Sequence, residues 1–267
     1  MILTKRSEVM RFKVSDMLLS ALSLISCLGC SVKENRDVCP CQLVLDFSKV
    51  DTVSVKSIDL FLRENGEVIL NDVVEQEEFD EDYYAYVPRT GLDFCAWAGR
   101  GDALTDALNI PYGGDCPPVY IHSAAIDAVG ESVSETVVMR KNFCRMTMTV
   151  KMAIQSSVIL AVIGNVDGFE ADGVPSLGDF KVIKYVEGDN VFYVNLPRQL
   201  DASLMLEMDS GDEIVKRFPI GQYIVESGYD WKAPDLEDIS IDLDLAVSHL
   251  SIVIKGWEKE YKFDVVI

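Results

Sequence analysis

The chain has 267 residues, with 44 Asp and Glu against 24 Lys and Arg and only two histidines, for a formal net charge of −20. Apolar side chains make up 49% of it, enough to bury real cores and too much for a disordered chain. So negative a balance argues against nucleic acid, where Lys and Arg must displace counterions from phosphate. It argues equally against docking on an anionic lipid surface through a basic patch.

The amino terminus reads as an address. Lys5, Arg6, Arg11 and Lys13 precede an uncharged run over residues 17–28, which ends at Gly29-Cys30. This is the charged start, short apolar stretch and small-residue exit of a secretory signal. At about 1.5 Å rise per residue the run spans roughly 18 Å as a helix, short of the roughly 20 residues a bilayer core needs. Met10 would serve equally as a start, because Met10-Arg11-Phe12-Lys13 already supplies the charge. A bacterial lipoprotein signal places a cysteine to be acylated after an aliphatic and two small residues. Cys27-Leu28-Gly29-Cys30 fits with Cys in the aliphatic slot, and Leu24-Ile25-Ser26-Cys27 fits as well. Cys30 is the expected lipidation site and Cys27 its rival, because a polar stretch suited to a tether begins directly after Cys30. An ordinary secretory signal with incidental cysteines is the plainer alternative. Two or more acyl chains anchor a protein stably, at about 0.8 kcal/mol per buried methylene. The expected division is therefore a signal over 1–29 and a tether over 30–38.

Five further cysteines follow: Cys39, Cys41, Cys95, Cys116 and Cys144. Export allows disulfides, and an odd count leaves at least one thiol over; spacing alone does not choose the pairing. Cys39-Pro40-Cys41 lacks the two-residue spacer of a redox or zinc pair, so no metal is expected there.

The body of the chain is written in period two. Ile58, Leu60 and Leu62 alternate with Asp59, Phe61 and Arg63. Asn65-Gly66 and Val68-Ile69-Leu70 follow, which together predict a hairpin with a tight turn. Leu92, Phe94, Ala96 and Ala98 alternate before Gly99-Arg100-Gly101-Asp102. Met146, Met148, Val150 and Met152 do the same, as do Ile239, Ile241, Leu243, Leu245 and Val247. These are half-buried antiparallel strands. Helical spacing is scarce, limited to a turn or two over 103–108 and 221–226. The stretch 111–118 reads as a loop. The acidic run over 75–82 reads as a solvated loop, with calcium binding the less favoured reading. Asp167, Glu170 and Asp172 do not have the spacing of an EF-hand loop. A boundary near Arg140-Lys141-Asn142 yields an all-β protein of two tandem β-sandwiches, 39–142 and 143–267. Each half opens on a period-two strand, and no internal repeat aligns by eye.

Catalysis has little to stand on. There is no Gly-x-Ser-x-Gly elbow, no His-Glu-x-x-His and no phosphate loop before a lysine. His122 and His249 have no partner in sequence, and carboxylate pairs carry little weight among so many acids. The expectation is no enzyme, no cofactor and no metal. Tyr83, Tyr84 and Tyr86, with Trp97 or Trp231, offer a platform for stacking sugar rings; strand-face packing is the blander reading of the same residues.

Several runs are similar to the FimB-like fimbrial anchor lipoproteins. They are Gly29-Cys30-Ser31-Val32-Lys33-Glu34-Asn35-Arg36, Cys39-Pro40-Cys41, Tyr86-Val87-Pro88 and Phe94-Cys95-Ala96-Trp97. Toward the end come Phe218-Pro219-Ile220-Gly221-Gln222-Tyr223-Ile224, Tyr229-Asp230-Trp231, Leu236-Glu237-Asp238-Ile239 and Ile254-Lys255-Gly256-Trp257. The resemblance spans nearly the whole mature chain in order. It implies two transthyretin-like sandwiches, lipid-anchored in a Gram-negative outer membrane and exposed as part of a fimbrium. It implies a base subunit that holds the pilus and limits its length by strand exchange with a stalk pilin. The partners implied are that pilin and outer-membrane lipid through the acylated cysteine. Tyr261, Phe263, Val265 and Ile267 alternate on one face of the last strand and are the donor-strand candidates. A surface glycan-binding lipoprotein is the alternative function.

Overall fold

The computed structural model describes residues 39–101, 106–152, 157–188, 190–209, 216–244, 249–256 and 259–266. Signal, tether, Cys27 and Cys30 lie outside the described residues, as do Leu245, Val247 and Ile267.

The described residues of the first half form nine strands: β1 (Cys41–Asp46), β2 (Ser57–Glu64), β3 (Glu67–Glu75), β4 (Tyr83–Val87), β5 (Gly91–Ala98), β6 (Leu108–Asn109), β7 (Tyr120–Asp127), β8 (Ser132–Thr136) and β9 (Arg140–Lys141). The second half contributes β10 (Phe143–Lys151), β11 (Ser157–Phe169), β12 (Pro175–Glu187), β13 (Asn190–Pro197), β14 (Met205–Asp209), β15 (Lys216–Phe218), β16 (Ile239–Asp244), β17 (His249–Gly256) and β18 (Lys259–Val266). Among the described residues one α-helix, α1 (Ile220–Glu226), sits where the short helical spacing predicts it. Of the other helical stretch, 103–105 lie outside the described residues, and Leu108 opens a strand instead. The acidic run is not wholly irregular, because Gln76–Glu78 forms a 3₁₀ turn closed by a capping box between Glu75 and Glu78.

The all-β reading holds. Asn65 and Gly66 both take positive φ, 51° and 86°, which is the primed turn that matches the twist of the β2–β3 hairpin. Four sheets result. The order β4-β1-β8 forms a three-stranded sheet and β3-β2-β5-β7-β9 a five-stranded one, and their facing sides share one core. In the second half β13-β10-β16-β17-β18 faces β12-β11-β14-β15, with β6 pairing β11 off that path.

The two halves repeat a strand order that their sequences hide. β1 lies between β4, antiparallel, and β8, parallel; β10 lies between β13, antiparallel, and β16, parallel. The hairpin β2–β3 corresponds to β11–β12, and β3-β2-β5-β7 to β12-β11-β14-β15.

The sheet of β2 and β5 is buried on both sides. Ile58, Leu60, Leu62, Phe94 and Ala96 enter the first core, while Phe61, Cys95 and Trp97 enter the second. The sequence reading put Phe61 and Arg63 on a polar side, and the structure corrects this. Arg63 and Arg100 are buried, the one bonded to Asp106 at 2.9 Å and the other to Asp59 at 2.8 Å. Arg100 also lies over the Phe61 ring at 4.8 Å from its centroid. The loop over 111–118 crosses to the second half, where Gly113 N–H bonds Lys181 O and Cys116 N–H bonds Asn195 O.

Candidate functional site

The first strand after the tether residues is the middle strand of its sheet. Its period of two sends Cys41, Leu43 and Leu45 inward, each at most 1% exposed, and Phe47 just beyond it is at 2%. β4 pairs it from Cys41↔Val87 to Leu45↔Tyr83, and β8 from Gln42↔Ser132 to Asp46↔Thr136. Taking β1 away would open an apolar slot between two strands that do not touch each other in the ladder.

The opposite end of the chain forms a sheet edge. β18 pairs β17 antiparallel, with Tyr261 opposite Ile254, Phe263 opposite Ile252 and Val265 opposite Leu250. It has no strand on its other side among the described residues. Three of the four donor candidates thus sit on alternate positions of an edge strand, and Ile267 lies outside the described residues.

The aromatic platform does not assemble. Tyr84 and Tyr86 stand exposed on one face of β4, beside Val44 and Gln42 across the strand pair. Tyr83 points to the other face, where its hydroxyl donates to Asp72 at 2.8 Å. Burial, with Asp72 adding to it, pushes the Tyr83 phenol up to about 12. Trp97 and Trp231 are core residues, packed edge-on to Phe169 and Tyr229.

All five cysteines from Cys39 onward are free thiols; Cys39 is exposed and the other four are buried. Burial raises the Cys95 thiol to about 11 and the Cys144 thiol to about 12, and it pushes Cys116 up as well. Thiols so disposed are structural, since reactivity needs the thiolate. Among the described residues no three His, Cys, Asp or Glu side chains gather as metal ligands.

Sequence reasoning missed the partner of His122. The histidine lies on β7 and Glu135 on β8, so their contact at 3.1 Å joins the two sheets of the first half. Val138 N–H donates to Nδ1 at 3.3 Å, which fixes the neutral tautomer with its proton on Nε2, toward Glu135. Burial lowers the pKa of His122, against the pull of Glu135. The pair was not visible beforehand because it spans a turn between two sheets. A cleft of about 490 Å³ also went unforeseen. On its wall Arg145 lies over the Tyr193 ring at 4.2 Å, beside Asn195 and Asp238.

No protein-family model and no curated protein sequence matches the chain. Solved structures share its fold. A candidate polysaccharide-binding protein from Bacteroides thetaiotaomicron matches with a TM-score of 0.61 at 15% identity, covering 84% of this chain and 98% of that one. A candidate adhesin from Bacteroides ovatus matches at 0.59 and 10% identity, covering 87% and 97%. The fimbrial anchor protein Mfa2 from Porphyromonas gingivalis matches at 0.57 and 14% identity, covering 82% and 98%. At these identities the likeness establishes a common architecture along nearly the whole of each neighbour. Among the described residues no helix is long and apolar enough to cross a membrane.

Proposed function

We propose that this chain is the lipid-anchored base subunit of a surface fimbria, acylated at Cys30 or, failing that, Cys27. Residues 1–29 are its signal, 30–38 its tether, and 39–142 and 143–267 its two sandwiches. It holds the pilus in the outer membrane and limits its length by strand exchange with the last stalk subunit. One observation carries the reading, the central place of β1 in its sheet with its apolar side chains in the core.

A lipid at residue 30 reaches the fold only through this strand. Proteolysis after it would free the protein from its membrane and open the slot between β4 and β8. Kept in place, β1 fills that slot, and no further subunit adds its own strand there. The description of one fold neighbour as a fimbrial anchor supports the same reading.

The test is to map the amino terminus of the protein recovered from cell surfaces. The expected form begins at Cys30 or Cys27 and carries label from palmitate; a surface-bound form beginning beyond Val50 refutes the proposal. For the donor strand, deletion of residues 260–267 is expected to release pili into the medium while the lipoprotein stays folded. Unchanged retention removes the strand from the mechanism.

A glycan-binding lipoprotein is the second reading, favoured by the exposed pair Tyr84 and Tyr86, at 58% and 74%. It predicts saccharide binding that Tyr86→Ala abolishes without loss of fold.

A further inference from the structure

The repeated strand order makes the two halves comparable edge by edge, and at one edge they differ. In the second half β16 lies parallel to β10, and its outer side is taken by β17, antiparallel from Ser240↔Lys255 to Asp244↔Ser251. In the first half β8 lies parallel to β1 in the corresponding place. Among the described residues no strand covers its outer side.

The bonding pattern identifies the groups left over. Gln42 N–H donates to Glu131 O at 2.9 Å, and Val137 N–H donates to Asp46 O at 2.8 Å. Successive residues of a strand turn their peptide groups to opposite sides, so 131, 133, 135 and 137 serve β1. The N–H and C=O of Ser132, Ser134 and Thr136 therefore point away from the sheet. The devices that usually blunt an edge are missing. Ser132–Thr136 reads SVSET, with no lysine and no proline, and its register with β1 runs without a bulge. Ser132, Ser134 and Thr136 are small, polar and exposed, so nothing bulky stands over the edge on that face.

Resting on the fimbrial reading above, we propose that the outer edge of β8 is a docking edge for an extended strand of the filament subunit that adjoins this chain, running antiparallel to β8 as β17 runs to β16. The donated strand gains main-chain hydrogen bonds at Ser132, Ser134 and Thr136. Its side chains are expected to include Lys or Arg, because the whole chain carries −20. The same charge disfavours a second copy of this chain as the occupant.

Ser134→Pro is the discriminating variant. The Ser134 N–H serves no internal bond, so proline removes only an outward donor and sets its ring in the path of an incoming strand, at an edge position where proline is tolerated. With tagged protein purified from cells bearing filaments, wild type and Ser134→Thr retain the filament subunit. Ser134→Pro, melting within a few degrees of wild type, is expected to retain at least ~10-fold less. Equal retention overturns the proposal and leaves the anchor reading intact, whereas a wild-type chain that brings down no filament subunit overturns both. A second measurement does not depend on the proline variant folding. Ser134→Cys, labelled on intact cells with maleimide-benzophenone and irradiated so that the ketone inserts into a neighbouring C–H bond, is expected to cross-link to the filament subunit, and Leu177→Cys on β12 is not. Equal yields at the two positions, or a Ser134→Cys product closed within one chain or between two copies, overturn the proposal.

Discussion

Cutting the chain after Val53, which is 82% exposed, leaves β1, Phe47 and Val50 on a short fragment held only by non-covalent contacts. Leu43, Leu45 and Phe47 are at most 2% exposed, and full burial of three such side chains contributes about 5–9 kcal/mol. That is comparable with the whole stability of a small domain, about 5–15 kcal/mol. With a site-specific protease sequence placed over 51–54, the cut protein is therefore expected to keep its fragment through size-exclusion chromatography in native buffer. It is expected to lose the fragment in urea well below the midpoint of the uncut protein. Its melting temperature becomes dependent on protein concentration, since refolding is now an association. Mass spectrometry of the eluted peak and near-ultraviolet circular dichroism read both effects. A fragment that washes out in native buffer, leaving the remainder with an unchanged melting temperature, would refute the reasoning that β1 is the plug of its own sheet.

Three further outcomes are expected. Arg198 donates to Trp231 O at 2.6 Å, Ala233 O at 2.8 Å, Pro234 O at 3.1 Å and Asn142 Oδ1 at 2.7 Å. Arg198→Met should cost about 3 kcal/mol in urea unfolding, and Arg198→Lys should rescue little of it, because one ammonium cannot span the fork. Gly99 has φ of 74°, and a Cβ there would press on the Pro118 carbonyl oxygen; Gly99→Ala should cost about 2 kcal/mol or more, read by thermal melting. Because burial lowers the pKa of His122, the unfolded chain takes up a proton near pH 6.5 before the folded one does. Stability is then complete above about 6.5 and falls as the pH drops from there toward the folded value. In His122→Gln the urea midpoint should change less between pH 7.5 and 5.5 than in wild type. Equal slopes would remove the histidine from the acid sensitivity.

Legibility followed the range of the forces involved. The hairpin at Asn65-Gly66 and the inward faces of β5, β10 and β16 were visible because turn chemistry and period-two burial are local. The contact between the halves was not, because β2 and β5 are buried on both faces, and a doubly buried strand loses the alternation that marks a half-buried one. Phe61 and Trp97 looked like exceptions to a pattern and are instead the second face. The repeated strand order was hidden for a related reason. Pairing geometry is set by main-chain bonds, and side chains as different as Leu43 and Met146 satisfy the same inward position. Among the site candidates the buried state of β1 followed from its alternation. The assembly of Tyr83, Tyr84, Tyr86 and Trp97 failed because adjacent strand residues face opposite ways, which puts Tyr83 and Tyr84 on different sides of one strand.

The place of β1 also has a mechanical consequence. Any pull transmitted from residue 40 enters the folded body at the amino end of a strand clamped on both flanks, antiparallel on one and parallel on the other. When that force is directed along the strand, the rungs on both sides share it and must give way together, whereas an edge strand peeled from one end surrenders its rungs one by one. A tugged protein of this design survives by its rate of forced rupture more than by its equilibrium stability, and the clamp slows that rate at the point where tension arrives.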